Sequence, residues 1–388
     1  MENFEFYNPV NVIFGKGQLT KLSSLIPKEK KVLMLYGGGS IKKNGVYDQI
    51  KDVLKEYTML EFGGIEPNPH YETAMKAVAL IKKEKIDFLL AVGGGSVIDA
   101  TKFIAAASLY GAGDPWDIMS KGKNVEAALP IGVVLTLPAT GTEMNANSVV
   151  TRVSTNEKFS FMSPLVFPKF SFLLPDAAGS LPQRQVANGV VDAFVHVIEQ
   201  YLTYPVNAPL QDRMAESILQ TLIEVGPIVY NDPADYDAMS NLMWCATMAL
   251  NGLISCGVPG DWSIHTIGHE LTAIHNIDHA RTLAIVLPGL WAVLKDEKRE
   301  KLLQFGKRVW NITAGSEEER IDNAILKTVE FFESLGVKTR MEDYNVTVYT
   351  IDKIVKRFEE RGWKAIGDRE LITPDVVRQV LEHQLVSR

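Results

Sequence analysis

Between Asp192 and His279 the sequence gathers five of its seven histidines, His196, His265, His269, His275 and His279, behind one carboxylate. The mostly apolar, long-chain run 186–201 reads as a helix, which sets Asp192 and His196 one turn apart on one face. The run 262–273 reads the same way and pairs His265 with His269, and His275 and His279 repeat the offset. Three or four converging nitrogen and oxygen donors hold a divalent first-row metal, and an open coordination position lets it act on a substrate. A lone histidine is more often a solvated or satisfied side chain than a ligand, but five clustered behind a helical Asp raise the weight of a metal site. Spacing alone leaves open which of them bind. A zinc-protease reading is disfavoured, because Thr266 follows His265 where that signature needs Glu.

The rest of the chain must supply the elements that position these donors. Its 388 residues fit two domains better than one core. With 46% apolar and 22% charged residues it can bury a core and is not a disordered polymer. The net charge of −7 implies no basic surface of the kind that nucleic acid or anionic lipid would need. No apolar run reaches the roughly 18 to 20 residues of a membrane span, and residues 1–10 carry acids and asparagines rather than a basic-then-apolar leader. A cytoplasmic location is therefore expected. Cys245 and Cys256 are too few for a disulfide framework and read as buried thiols in a reducing compartment.

Strands are expected at 12–14, 31–36, 59–62, 86–92 and 131–137, alternating with helices at 46–57, 71–83 and 97–109. Three short strands at 148–153, 158–162 and 171–174 read as a ribbon beside the sheet, and from Pro182 the pattern is almost entirely helical. The expected fold is an α/β N-terminal dinucleotide-binding domain with a parallel sheet (1–181) plus an all-α C-terminal metal-binding domain (182–388), with a cleft between them.

Two turns have the same form: Gly37, Gly38, Gly39, Ser40 after one strand and Gly93, Gly94, Gly95, Ser96 after another. Glycine there lets backbone approach a phosphate, whose charge the next helix start stabilises. Tight βα turns also use glycine for conformation alone, but the duplication favours phosphate or dinucleotide binding. Neither turn fits GxGxxG or the Walker loop, which argues against an ATPase. A nicotinamide that carries hydride and a metal that acts as Lewis acid on an alcohol or aldehyde oxygen solve two halves of one reaction. His269, beside the candidate ligands, is the candidate proton relay.

On the second Gly-Gly-Gly-Ser turn with Asp99, the Pro67-Asn68-Pro69 loop, the 140–143 segment, the Asp192/His196 helix and the 265–279 block, the sequence resembles the iron-containing (group III) alcohol dehydrogenase family. Within it the butanol dehydrogenase type is the most similar, and the likeness runs over nearly the whole chain. The resemblance implies Asp192, His196, His265 and His279 as metal ligands, with His269 near nicotinamide and substrate. It implies cofactor contacts at Gly94, Gly95 and Ser96, at Thr136, Leu137 and Thr140, and at Val149 and Lys158; Asn68 and Asp99 join them. It also implies a homodimer, and iron, with zinc as the alternative. Thr136-Leu137-Pro138-Ala139 and Ala280 depart from many relatives in the manner of the butanol dehydrogenase branch.

NADP(H) is expected over NAD(H), because no carboxylate stands where the ribose 2′-OH is usually held: Gly37, Gly38, Gly39 and Ser40 run into Lys42 and Lys43, which suit a 2′-phosphate. The expected substrate is a small primary alcohol or aldehyde such as butanol or butanal. Competing readings are a glycerol dehydrogenase-like polyol oxidoreductase, a dehydroquinate synthase, a metal-dependent nucleotide hydrolase, and a non-catalytic dinucleotide sensor with core histidines. The synthase would need several Lys and Arg near the ligands, and this chain is poor in both there until Arg281.

Overall fold

The computed structural model describes residues 1–111 and 113–385, and the chain divides into two compact units. One comprises Tyr7–Pro182 with Asp232–Asn251, the other Met1–Phe6, Gln183–Asn231 and Gly252–Arg388. The first unit is built on a parallel sheet of β1 (Asn11–Phe14), β2 (Lys31–Tyr36), β3 (Thr58–Phe62), β4 (Phe88–Gly93), β5 (Ile131–Leu135) and β8 (Phe170–Leu173). Its order is β1-β8-β5-β4-β2-β3. Every residue of β4, β5 and β8 is buried, the continuous burial of strands covered on both faces.

β6 (Asn147–Arg152) and β7 (Glu157–Met162) pair antiparallel as a separate ribbon. The third strand assigned to that ribbon belongs elsewhere: β8 lies inside the main sheet between β1 and β5. Its Phe-Ser-Phe-Leu is wholly buried, whereas β7 buries only Lys158 and Phe161. β5 also ends earlier than its apolar run implies. Thr136 N–H still reaches the Gly93 carbonyl at 3.0 Å, but Pro138 has no N–H to continue the ladder.

Helices Val46–Val53, Tyr71–Glu84 and Gly95–Leu109 complete the α/β pattern. The last is buried along nearly its whole length because it packs against both β4 and the ribbon strand β6. Tyr236–Ala249 joins the same unit, its first turn capped by Asp235, which accepts from Ala238 N–H at 2.9 Å.

The second unit is helical: Gln183–Tyr201, Pro209–Asn231, Ser263–His275, His279–Val293, Arg299–Arg308, Glu317–Ser334, Val348–Glu360 and Pro374–His383. Gln183–Tyr201 is buried from Val190 through Tyr201, so it runs through the middle of its unit. Phe194 packs its ring 5.4 Å from Phe332 and 5.7 Å from Phe331, which fixes the helix's rotation about its axis. Among the described residues no helix is long and apolar enough to cross a membrane.

Candidate functional site

Asp192 and His196 lie two positions to either side of Phe194, so the packing that buries Phe194 on one face presents them on the other. Asn188 and Arg184 continue the same row one and two turns earlier. Both donate to Asp278 Oδ2 at 2.8 Å, and Arg281 Nε donates to Asn188 Oδ1 at 3.2 Å. These bonds tie the start of the His279–Val293 helix to the Asp192 row, bringing His279 alongside Asp192.

The helix bearing His265 and His269 is entered through Trp262, a non-glycine residue at φ 58°, whose indole stands edge-on to the His265 ring at 5.6 Å. It ends at Asn276, also left-handed at φ 54°, so His275 and His279 occupy different helices. Their four-residue offset therefore does not place them on one face. His275 Nε2 instead pairs with Thr350 Oγ1 at 2.8 Å. Gly268 lets the His265 and His279 helices pack closely, since a Cβ there would lie 3.0 Å from Thr282 Oγ1 and 3.1 Å from Leu283 Cδ2.

One donor atom each from Asp192, His265 and His279 lies within 4.8 Å of the other two. Asp192 Oδ1 is 3.7 Å from His279 Nε2 and 3.8 Å from His196 Nε2. The His196 ring stacks on His265 with centroids 4.8 Å apart, and His269 stands 5.2 Å from His279. The two Asp192 separations exceed hydrogen-bond length, yet they resemble the roughly 3.4 Å between neighbouring donors set tetrahedrally about 2.1 Å from one cation. Burial draws the His196 imidazole down to about 4, with Asp192 opposing and His265 assisting, so it is neutral at neutral pH, the form that ligates. The donor set therefore fits a divalent first-row metal.

Glu199 lies three residues beyond His196 on the same row and was not singled out by sequence. Its Oε2 pairs with His265 Nδ1, and its Oε1 accepts from Ile264 N–H at 2.6 Å. Burial, aided by Asp261, pushes this carboxyl well above its usual range, against the pull of the Ile264 and His265 N–H groups. The i, i+4, i+7 spacing of Asp192, His196 and Glu199 was the available signal.

The residues assigned to the dinucleotide lie in the other unit. Gly37, Gly38, Gly39 and Ser40 follow β2, Gly94, Gly95 and Ser96 follow β4, and Thr136, Leu137 and Thr140 follow β5. These three strands are neighbours, so the segments lie side by side at their carboxyl ends. A Cβ on Gly95 would stand 2.5 Å from Thr140 Oγ1, so that turn admits only glycine in this packing. The first turn differs: a short 3₁₀ stretch Ser40–Lys42 follows it, and the helix starts only at Val46.

Asn68 is left-handed at φ 54°, and its Oδ1 accepts from Lys158 Nζ at 3.1 Å. Asp99 is buried, with Oδ1 accepting from Thr142 Oγ1 at 2.6 Å and Oδ2 from Val149 N–H at 3.1 Å. It thereby holds the 140–149 segment onto its own helix. Sequence reading overlooked Lys102, one turn beyond Asp99, whose ammonium is enclosed by Thr142 O and Oγ1, Asn145 O and Oδ1, and Asn147 O, all within 3.0 Å.

Known proteins bear on both halves of the chain. The family described as "Iron-containing alcohol dehydrogenase" matches residues 9–175, and "Fe-containing alcohol dehydrogenase family, C-terminal" matches 186–381. The chain is 55% identical to the NADPH-dependent aldehyde reductase YqhD of Escherichia coli (strain K12), over 98% of this chain and 99% of that protein. It is 43% identical to the probable NADH-dependent butanol dehydrogenase 1 of Bacillus subtilis (strain 168), over 99% and 100%. The crystal structure of NADH-dependent butanol dehydrogenase A from Thermotoga maritima superposes with a TM-score of 0.95 at 36% identity, covering 100% of this chain and 99% of that one. With both family regions matched and relatives this similar along their whole length, the chain belongs to the iron-containing alcohol dehydrogenase family.

Proposed function

We propose that the protein is a metal-dependent aldehyde reductase and alcohol dehydrogenase acting on small primary alcohols and aldehydes such as butanol and butanal. The observation that carries this is the convergence of Asp192, His265 and His279, with His196 beside them, in a chain of this family. These four side chains are the proposed ligands of Fe²⁺, with Zn²⁺ as the alternative. When bound, the ion supplies Lewis acidity to the substrate oxygen, and the nicotinamide supplies or receives the hydride.

The chain's own residues do the rest. Asp192, His196 and His265 offer their donors from buried positions, and His279 offers its own from a partly exposed one. His269 takes the alcohol proton on a ring nitrogen during oxidation and returns it during reduction. The Gly94, Gly95, Ser96 turn binds the pyrophosphate through its N–H groups, and Gly37 to Ser40 receive the adenosine ribose. Thr136, Leu137, Thr140, Val149, Asn68, Asp99 and Lys158 line or brace the rest of the cofactor site. On this reading residues 1–181 serve the dinucleotide and 182–388 the metal and substrate.

NADP(H) is the proposed cofactor over NAD(H). Support comes from the absence of a carboxylate between Gly37 and Lys43, the exposure of Gly38 and Ser40, and the NADPH dependence named for the relative at 55% identity. A cytoplasmic homodimer is proposed, pairing through β1, which ends the sheet. The test mixes metal-loaded protein with butanal and either reduced nucleotide. Loss of reduced-nicotinamide absorbance, faster with NADPH, is expected; unchanged absorbance with both would end the proposal, as a hydrolase or a sensor would leave it.

A further inference from the structure

We propose that Glu199 is a positioning residue for the metal centre, holding the His265 imidazole with its proton on Nδ1 so that Nε2 is the nitrogen presented as ligand. The inference rests on the metal-site reading above. An imidazole has two ring nitrogens, and the one engaged by a carboxylate is not available to a cation. His265 Nδ1 is engaged by Glu199 Oε2, which leaves Nε2 by elimination. The other oxygen of the same carboxylate accepts from Ile264 N–H at 2.6 Å, in the first turn of the His265 helix. Glu199 therefore fixes both the start of that helix and the orientation of the ring one residue on.

Its own position is fixed as well. Glu199 is 1% exposed, on the row that carries Asp192 and His196, and its backbone carbonyl accepts from Asp261 N–H at 2.8 Å. Asp261 in turn accepts from Ser263 N–H at 3.0 Å, and its second oxygen receives Lys298 Nζ at 2.7 Å. The segment leading into the His265 helix is thus anchored to the helix that bears Asp192 and His196. A carboxylate suits the task because both facing groups are donors, which favour its ionised form against the burial that opposes it. An amide does not, because its NH₂ must meet either Ile264 N–H or His265 Nδ1. Facing Nδ1, it would favour the ring proton on Nε2 and remove the ligand lone pair.

The test titrates metal-free, full-length wild type, Glu199→Gln, Glu199→Asp and Glu216→Gln with Co²⁺, following its visible d–d absorption, while circular dichroism reports the folded fraction. Glu216 is a buried acid of the same unit, bonded to Tyr201 and Arg308 rather than to a histidine, and controls for loss of a buried charge. Glu199→Gln is expected to bind Co²⁺ roughly 10- to 100-fold more weakly, with a shifted absorption band, while Glu216→Gln matches wild type. Glu199→Asp, which keeps the charge but withdraws it by one methylene, falls between. Folded Glu199→Gln with wild-type affinity and spectrum would overturn the inference. A wild type that takes up no Co²⁺ would sink the metal-site reading itself, and this inference with it.

Discussion

Burial governs His196, and its consequence is a pH dependence that can be signed. The imidazole titrates near 4 in the folded chain against 6.5 when free, because desolvation disfavours its charged form. Between those values the unfolded chain holds the extra proton, so folding stability contributed here is complete above 6.5 and declines as pH falls towards 4. The slope is about 1.4 kcal/mol per pH unit, amounting to about 3 kcal/mol in all. Urea unfolding of metal-free protein between pH 7.5 and 4.5 is expected to show this loss, and His196→Asn to flatten it. An equal acid slope in both would assign the loss to other groups.

Among the elements, polar bonds from Asp99 and Lys102 tie the Gly95–Leu109 helix to the segment joining β5 to β6 and to β6 itself. Burial draws the Lys102 ammonium down to about 7, opposed by Asp99 and Glu143, and the five oxygens around Nζ fit the charged form, which needs no place for a lone pair. Lys102→Met would keep the volume and strand those oxygens in a buried setting. A loss of about 3 to 5 kcal/mol in chemical denaturation is expected, as for removal of one partner from a buried ionic network. The same variant should bind NADPH more weakly, because Thr140 and Val149 lie in the segment that Lys102 secures.

For the whole molecule, metal occupancy is expected to set thermal stability. A ligand that binds only the folded chain at a hundred times its Kd adds about 2.7 kcal/mol. Chelation followed by calorimetry should therefore lower the transition of wild type, and readdition of Fe²⁺ or Zn²⁺ should restore it. Asp192→Asn, which removes the charged donor, should melt at one temperature with or without chelator. An unchanged wild-type transition would count against a metal that the fold holds.

Local pattern made much of this legible before any coordinates. Apolar runs of strand length separated by helical ones required a parallel α/β sheet, since strands buried on both faces read as continuous hydrophobic segments. The Asp192/His196 spacing survived folding because a helix's period is a local property. What lay beyond sequence was everything fixed by contacts between distant segments. The run 171–174 looked like one more ribbon strand, and only the neighbours β1 and β5 made β8 central. His275 and His279 shared a favourable offset, but the left-handed turn at Asn276 sent them apart. Glu199 and Lys102 resembled ordinary charged helix residues until tertiary packing buried one beneath His265 and closed five oxygens around the other. Periodicity is written along the chain, whereas the partner of a buried charge is chosen by whatever the fold brings against it.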